Sequence, residues 1–372
     1  MSTRAPRRLV LSALLFLAAA VPPALHAGEQ PDGRYLYVAT PGIRDYLEYG
    51  GHGVLVFDID HGHRFVKRLA SGGLDEHGKP SNVKGICASA ATGRLYVSTI
   101  KSLVCLDLRT DAILWEKSYA GGCDRMAITD DGRILYQPSF EKDHWLVLDA
   151  GDGHEIARIT PDSAAHNTII GPDQREAYLA GLKSPLLTVA DLATHRAVRT
   201  VGPFSQSIRP FTINGRQTRV YVNVNNLLGF EVGDLQSGRV LGQYRVTGYE
   251  TGSVKRHGCP SHGIALTPDE RELWLADGHN NRLHIFDLTG ETPRQIASVV
   301  VRDQPGWITF SIDGRLVYPS TGDVIDAASR RIVATLTDEN GAAVQSEKLL
   351  EIDFRDGVPV RAGNQFAIGG VR

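Results

Sequence analysis

One spacing dominates this chain. An Arg followed within three residues by an aromatic recurs seven times: Arg34/Tyr37, Arg94/Tyr96, Arg133/Tyr136, Arg175/Tyr178, Arg219/Tyr221, Arg271/Trp274 and Arg315/Tyr318. Successive aromatics are 59, 40, 42, 43, 53 and 44 residues apart. Each sits in a short apolar run such as RYLYVAT, RLYVST or RELWLAD. A second apolar run follows and ends in Asp: Asp58, Asp107, Asp149, Asp191, Asp234, Asp287 and Asp326. Gly turns such as Asp131-Gly132, Asp152-Gly153, Ser237-Gly238 and Asp313-Gly314 separate the runs. Short runs rich in Val, Ile, Leu and Tyr between such turns read as antiparallel strands. No stretch beyond the leader keeps a 3.6-residue apolar period over three turns, which excludes a helical solenoid. A repeat of this length is one four-stranded propeller blade. The predicted fold is all-β, a seven-bladed β-propeller.

With strands named A (lining the channel) to D (outermost), the Arg-aromatic motif lies on B, the Asp ends C, and runs such as Glu155 to Ile159 supply D. The first unit has B, C and D but no A. A spare apolar strand, Leu349 to Phe354, stands near the C-terminus. It is expected to complete the first blade and close the ring, which removes the open sheet edges that invite aggregation. Residues 358–372 find no place in this scheme.

The R-x-LYV runs, the V-x-D strand endings and the PSHGIALTPDERELWLAD stretch resemble the bacterial YVTN-type β-propeller repeats. The resemblance covers nearly all of the chain after the leader. It implies the fold and says little of activity, because that family holds binding proteins and enzymes alike. The docking motif repeated in pyrroloquinoline-quinone dehydrogenases occurs here once, as Cys105 to Trp115 with Asp111 in place of Gly, so quinone binding is not expected. The Gly-His and Trp-Asp dipeptides of WD repeats do not recur.

Arg4, Arg7 and Arg8 precede an apolar run from Leu9 to Val21, and small residues follow to Ala27. This is the pattern of a secretory signal peptide. At 13 residues the run falls short of the roughly 20 a membrane-spanning helix needs. The expected organisation is a signal peptide over 1–27 and a single propeller over 28–372, with a periplasmic or secreted location. Removing the three arginines takes the formal net charge from −2 to −5, which disfavours nucleic acid as a partner. Cys87 and Cys105 lie in strand patterns, whereas Cys123 and Cys259 fall in loops where a bridge between them stays open.

A propeller gathers the starts of its A strands around one channel mouth. Aligning the seven units on their turns places Lys84, Asp124 and Arg125, His166 and Asn167, Arg209, His262 and Trp307 there, with Glu351 from the closing strand. Converging charges of this kind must be hydrated, paired or bound to a ligand. Their positive excess favours a small anion gripped by Arg209 or Arg125. The longer loops reach the same face. Residues 41–53 carry Arg44, Tyr46, Tyr49 and His52, residues 71–82 carry His77, and residues 248–261 carry Tyr249, Lys255, Arg256 and His257. Tyr49 and His52 join the candidate ligand contacts.

Two function classes follow. The first is a binding or interaction module taking a small anion, or another periplasmic protein, at the top face. The second is a periplasmic enzyme, either lactonase- or lyase-like or a metal-dependent oxidoreductase, with His166, His262 and Glu351 as its catalytic groups. His166 and His262 are also the pair a divalent metal or copper would take. No Ser nucleophile elbow, phosphate-binding Gly loop or Cys-x-x-Cys motif occurs, and a nucleotide cofactor is not expected.

Overall fold

The computed structural model describes Met1 and residues 31–371; the expected signal peptide lies outside the described residues. Seven antiparallel sheets form the ring. Blade one takes its B, C and D strands from Gly33–Thr40, Gly53–Asp58 and Arg64–Leu69. Blade two runs Val83–Ser89, Arg94–Thr99, Ser102–Asp107 and Ile113–Ser118. The A strands of blades three to seven are Ala127–Ile128, Ala165–Ile170, Ile208–Ile213, Ile264–Leu266 and Ile308–Phe310.

The ring closes as the repeat requires. Leu349–Arg355 pairs antiparallel with Gly33–Thr40, in a register that sets Leu350 against Tyr37 and Phe354 against Gly33. Each of the seven blade-to-blade interfaces is filled by its own apolar cluster. Successive side chains on a strand point to opposite sheet faces, and here both faces meet a neighbouring blade. That is why the B and C runs are continuously apolar, whereas the outermost strands alternate between exposed and half-buried positions.

The repeated residues fasten this packing. The Tyr96 hydroxyl donates to the Ala150 carbonyl of the next blade at 2.9 Å. Tyr136 meets His195 Nδ1 at 2.8 Å, and Tyr318 meets His63 Nε2 at 3.0 Å across the closing interface. Buried hydroxyls need such partners. The Asp that ends each C strand caps the following turn: Asp107, for example, accepts from the backbone N–H of Arg109 and Thr110, both at 2.8 Å. All four cysteines are buried free thiols, with no bridge between Cys123 and Cys259.

The repeat gives no hint of the chain's last segment. Val358–Ala362 turns back inside the channel and pairs with the closing strand, making blade one five-stranded. Residues 363–371 then cross the channel. The Asn364 carbonyl accepts from Thr309 Oγ1, the Ala367 carbonyl from Thr212 Oγ1 and the Leu266 N–H, and Gly369 donates to Ile213. Two cavities result that share no lining residue: one of about 790 Å³ at the top, and one of about 680 Å³ below, beside the crossing segment.

Candidate functional site

The top cavity is lined by nine Lys or Arg side chains against four carboxylates. The A strands supply its floor. In blades two to six a polar residue stands one to three positions ahead of the apolar run, which delivers Lys84, Arg125, His166, Arg209 and His262 to the cavity. Asp124, Asn167 and Trp307 lie buried around that floor.

Two polar centres organise it. In the first, His166 Nδ1 meets Asp124 Oδ2 at 2.7 Å, and Lys84 Nζ lies 3.8 Å from the other Asp124 oxygen. His166 therefore presents Nε2, which has no hydrogen-bond partner among the described residues, on a ring that lines the cavity. Burial pulls this imidazole below its ordinary value although Asp124 opposes the shift.

The second centre is Glu347. Its carboxylate accepts from Lys348 Nζ at 2.7 Å and Arg125 Nη2 at 3.1 Å, and faces His257 Nδ1 at 2.8 Å and His262 Nδ1 at 3.9 Å. Burial alone would raise its pKa; Lys348 and then the two imidazoles overcome that and hold it well below the usual carboxylate range. Burial brings Lys348 down to about 7, with Arg125 and Lys84 adding to the shift against the pull of Glu347. Burial also drives His262 well below its ordinary value. The His262 Nδ1–H donates to the Gly306 carbonyl at 2.7 Å, which fixes the tautomer and leaves Nε2 as the acceptor.

Arg125 sits between the centres and is only 2% exposed. Its guanidinium lies 3.5 Å from the ring centre of Trp307, a cation–π stack. Nη2 is engaged by Glu347, whereas Nε and Nη1 have no hydrogen-bond partner among the described residues. Both ends of the Asn167 amide are likewise without one. Arg209 differs: its Nε donates to Asn225 at 2.7 Å and its Nη2 to the Gly258 carbonyl at 2.9 Å.

Two residues expected at the mouth, Glu351 from the strand alignment and His52 from the 41–53 loop, are elsewhere. Glu351 lies deeper on the closing strand, where its carboxylate accepts from the Ile312 N–H at 2.7 Å and lies 3.9 Å from Arg34. The closing segment reaches the mouth four residues earlier, and Glu347 and Lys348 take the position instead. His52 is turned to the Gly72 carbonyl at 2.8 Å and does not line the cavity. Tyr49 reaches the mouth indirectly. Its hydroxyl accepts from Arg256, which also pairs with Asp303 at 2.7 Å, so the loops of blades one and six are tied together over one side of the opening. His257, expected on the rim, is buried in the Glu347 cluster.

His257, His262 and Glu347 offer ligand atoms within 4.8 Å of one another, the kind of set that could hold a metal ion. His257 Nε2, the nitrogen turned away from Glu347, faces the Gln304 carbonyl as second-shell support for a metal would, whereas His262 Nδ1, which faces Glu347, is already held by the Gly306 carbonyl. Against this, Lys348 and Arg125 occupy the same carboxylate, and the Arg125 charge, joined by Lys348 when protonated, disfavours a dication there. His166 is not part of that set.

The fold and this cavity define a class: a seven-bladed β-propeller with a cationic central pocket open at its top. No protein-family model matches the chain, and no curated protein does. Among solved structures 1647 chains match. One of them, Kuenenia stuttgartiensis hydrazine synthase, is 17% identical with a TM-score of 0.45, over 67% of this chain and 94% of that chain. At that level of similarity nothing about activity carries across. No helix among the described residues is long and apolar enough to cross a membrane.

Proposed function

We propose that this chain binds a small anionic ligand at the top mouth of its channel, acting as an exported binding module of the YVTN-repeat type in the periplasm. One observation carries the reading: a buried guanidinium, stacked on Trp307, with two N–H-bearing nitrogens that have no hydrogen-bond partner among the described residues. Leaving a buried charged donor unmatched costs more than a typical hydrogen bond returns, so a site built this way favours an acceptor from outside. A carboxylate or phosphate matches the guanidinium fork in geometry as well as charge. Calorimetric titration of the purified protein with acetate, succinate and inorganic phosphate at low ionic strength tests this. Binding to wild type that weakens at least about tenfold in Arg125→Met supports it. No binding by any of the three, or binding indifferent to Arg125→Met, overturns it.

The Asp124–His166 pair favours a second reading, a periplasmic enzyme. A carboxylate-oriented neutral imidazole with a free Nε2, beside a cation, is equipped to take a proton from water or from a bound anion. Loss of turnover with retained affinity in His166→Gln, once a ligand is in hand, would single out that reading.

A further inference from the structure

The residues that cross the channel at the C-terminus lie directly under the groups that give the pocket its charge. Trp307 has two faces of interest. One carries the Arg125 guanidinium at 3.5 Å; the indole Nε1–H, meanwhile, donates to the Gln365 carbonyl at 2.6 Å. Phe366 packs edge-on against the same indole, with ring centres 5.6 Å apart. A second route reaches Arg125 through the backbone. Gln365 Nε2 donates to the carbonyl of Met126, the residue after Arg125, at 3.0 Å, while its Oε1 accepts from the Ile86 N–H at 3.3 Å. Gln365 and Phe366 are as buried as the strands they touch. A glutamine buried with both amide ends satisfied by two different blades is a fixed structural element rather than a loosely resting terminus.

We infer that Gln365 and Phe366, in the segment that crosses the channel, hold Arg125 in its ligand-facing position through Trp307 and Met126. Calling that position ligand-facing rests on the reading of the pocket as an anion site. Arg125 needs such support. It is a long side chain with several rotatable bonds, it stands just ahead of the shortest A strand in the ring, and only one of its guanidinium nitrogens has a hydrogen-bond partner among the described residues. An aromatic face fixed from below limits where the guanidinium can go. Because linkage is reciprocal, an anion on Arg125 also strengthens docking of the tail.

Chemical labelling of full-length protein tests this without a ligand. Phenylglyoxal modifies accessible arginines, and mass spectrometry reads each site separately. In wild type, Arg125 should stay unmodified while exposed Arg109 and Arg133 react. Truncation after Ala362 should make Arg125 react at a rate approaching theirs. Trp307→Phe keeps an aromatic ring under Arg125 but removes the N–H that holds Gln365; it should give an intermediate rate. It decides alone if the truncated chain fails to fold by circular dichroism. The same Trp307→Phe protein should bind inorganic phosphate about five- to tenfold more weakly than wild type. Arg125 labelling unchanged in a folded Trp307→Phe protein overturns the inference. If wild type binds no phosphate but labelling rises as described, the tail holds Arg125 and the anion reading alone falls.

Discussion

Glu347→Gln is the substitution whose consequences follow most directly from the geometry. Glu347 balances Lys348 at 2.7 Å and Arg125 at 3.1 Å, with His257 at 2.8 Å, in surroundings that leave all four side chains buried. Glutamine keeps the shape and one acceptor but removes the charge. Lys348 can respond by shedding its proton, since its pKa already lies at about 7 with Glu347 opposing the shift. Arg125 cannot, and remains a buried cation without its counter-charge. Breaking a buried pair from one side typically costs about 3–5 kcal/mol. We expect a loss of that size in urea unfolding, read as a lower midpoint at unchanged slope. Arg125→Met added to Glu347→Gln should recover part of the loss, because no cation is then stranded; the coupling between the two sites should be at least about 1 kcal/mol. A Glu347→Gln protein within about 0.5 kcal/mol of wild type would mean these charges are effectively solvated, and the reasoning would fail.

Three further outcomes follow. Succinate affinity should fall as pH rises from 6 to 8.5, because the Lys348 ammonium loses its proton near 7 and Glu347 stays ionised throughout; a flat calorimetric profile contradicts this. Glu351 sits at about 8, raised by burial and by Asp353, so between about 4.5 and 8 the folded chain holds a proton that the unfolded chain has lost. Its contribution to stability therefore declines with rising pH across that window, by at most about 1.4 kcal/mol per unit, and Glu351→Gln should flatten the unfolding free energy measured between pH 5 and 7. The four buried thiols should all resist Ellman's reagent in the native protein and all react after unfolding; a native disulfide would leave two fewer to titrate.

The ring was legible because a propeller repeats its chemistry as well as its shape. Tyr96 and Tyr136 sit at equivalent B positions, Asp107 and Asp149 at equivalent C ends, and the missing first A strand could be matched to Leu349–Phe354 by counting. The floor residues Lys84, Arg125, His166, Arg209 and His262 were legible for the same reason, since each immediately precedes or opens an A strand. Glu351 was misplaced because it lies inside the apolar run Leu349–Phe354, whereas the mouth residues stand at or ahead of the start of theirs. The pattern of the other blades, a polar residue one to three positions ahead of the apolar run, selects Glu347 and Lys348 when applied to Leu349. His257 could not be located from sequence, because a long loop carries no register and its side chain finds Glu347 only in three dimensions. The tail was unreadable because it is not a repeat. Its contacts are mostly backbone carbonyls and N–H groups, and these leave no pattern in side-chain type.

The most direct test of the central claim, that Arg125 is built to receive an anion from outside the protein, is anomalous diffraction from crystals soaked in 4-bromobenzoate. The expected result is a bromine peak within the top pocket, with the carboxylate seated on Arg125 Nε or Nη1. Bromine confined to the outer faces of the blades, with Arg125 unmoved and contacting only Glu347 and Trp307, would contradict it.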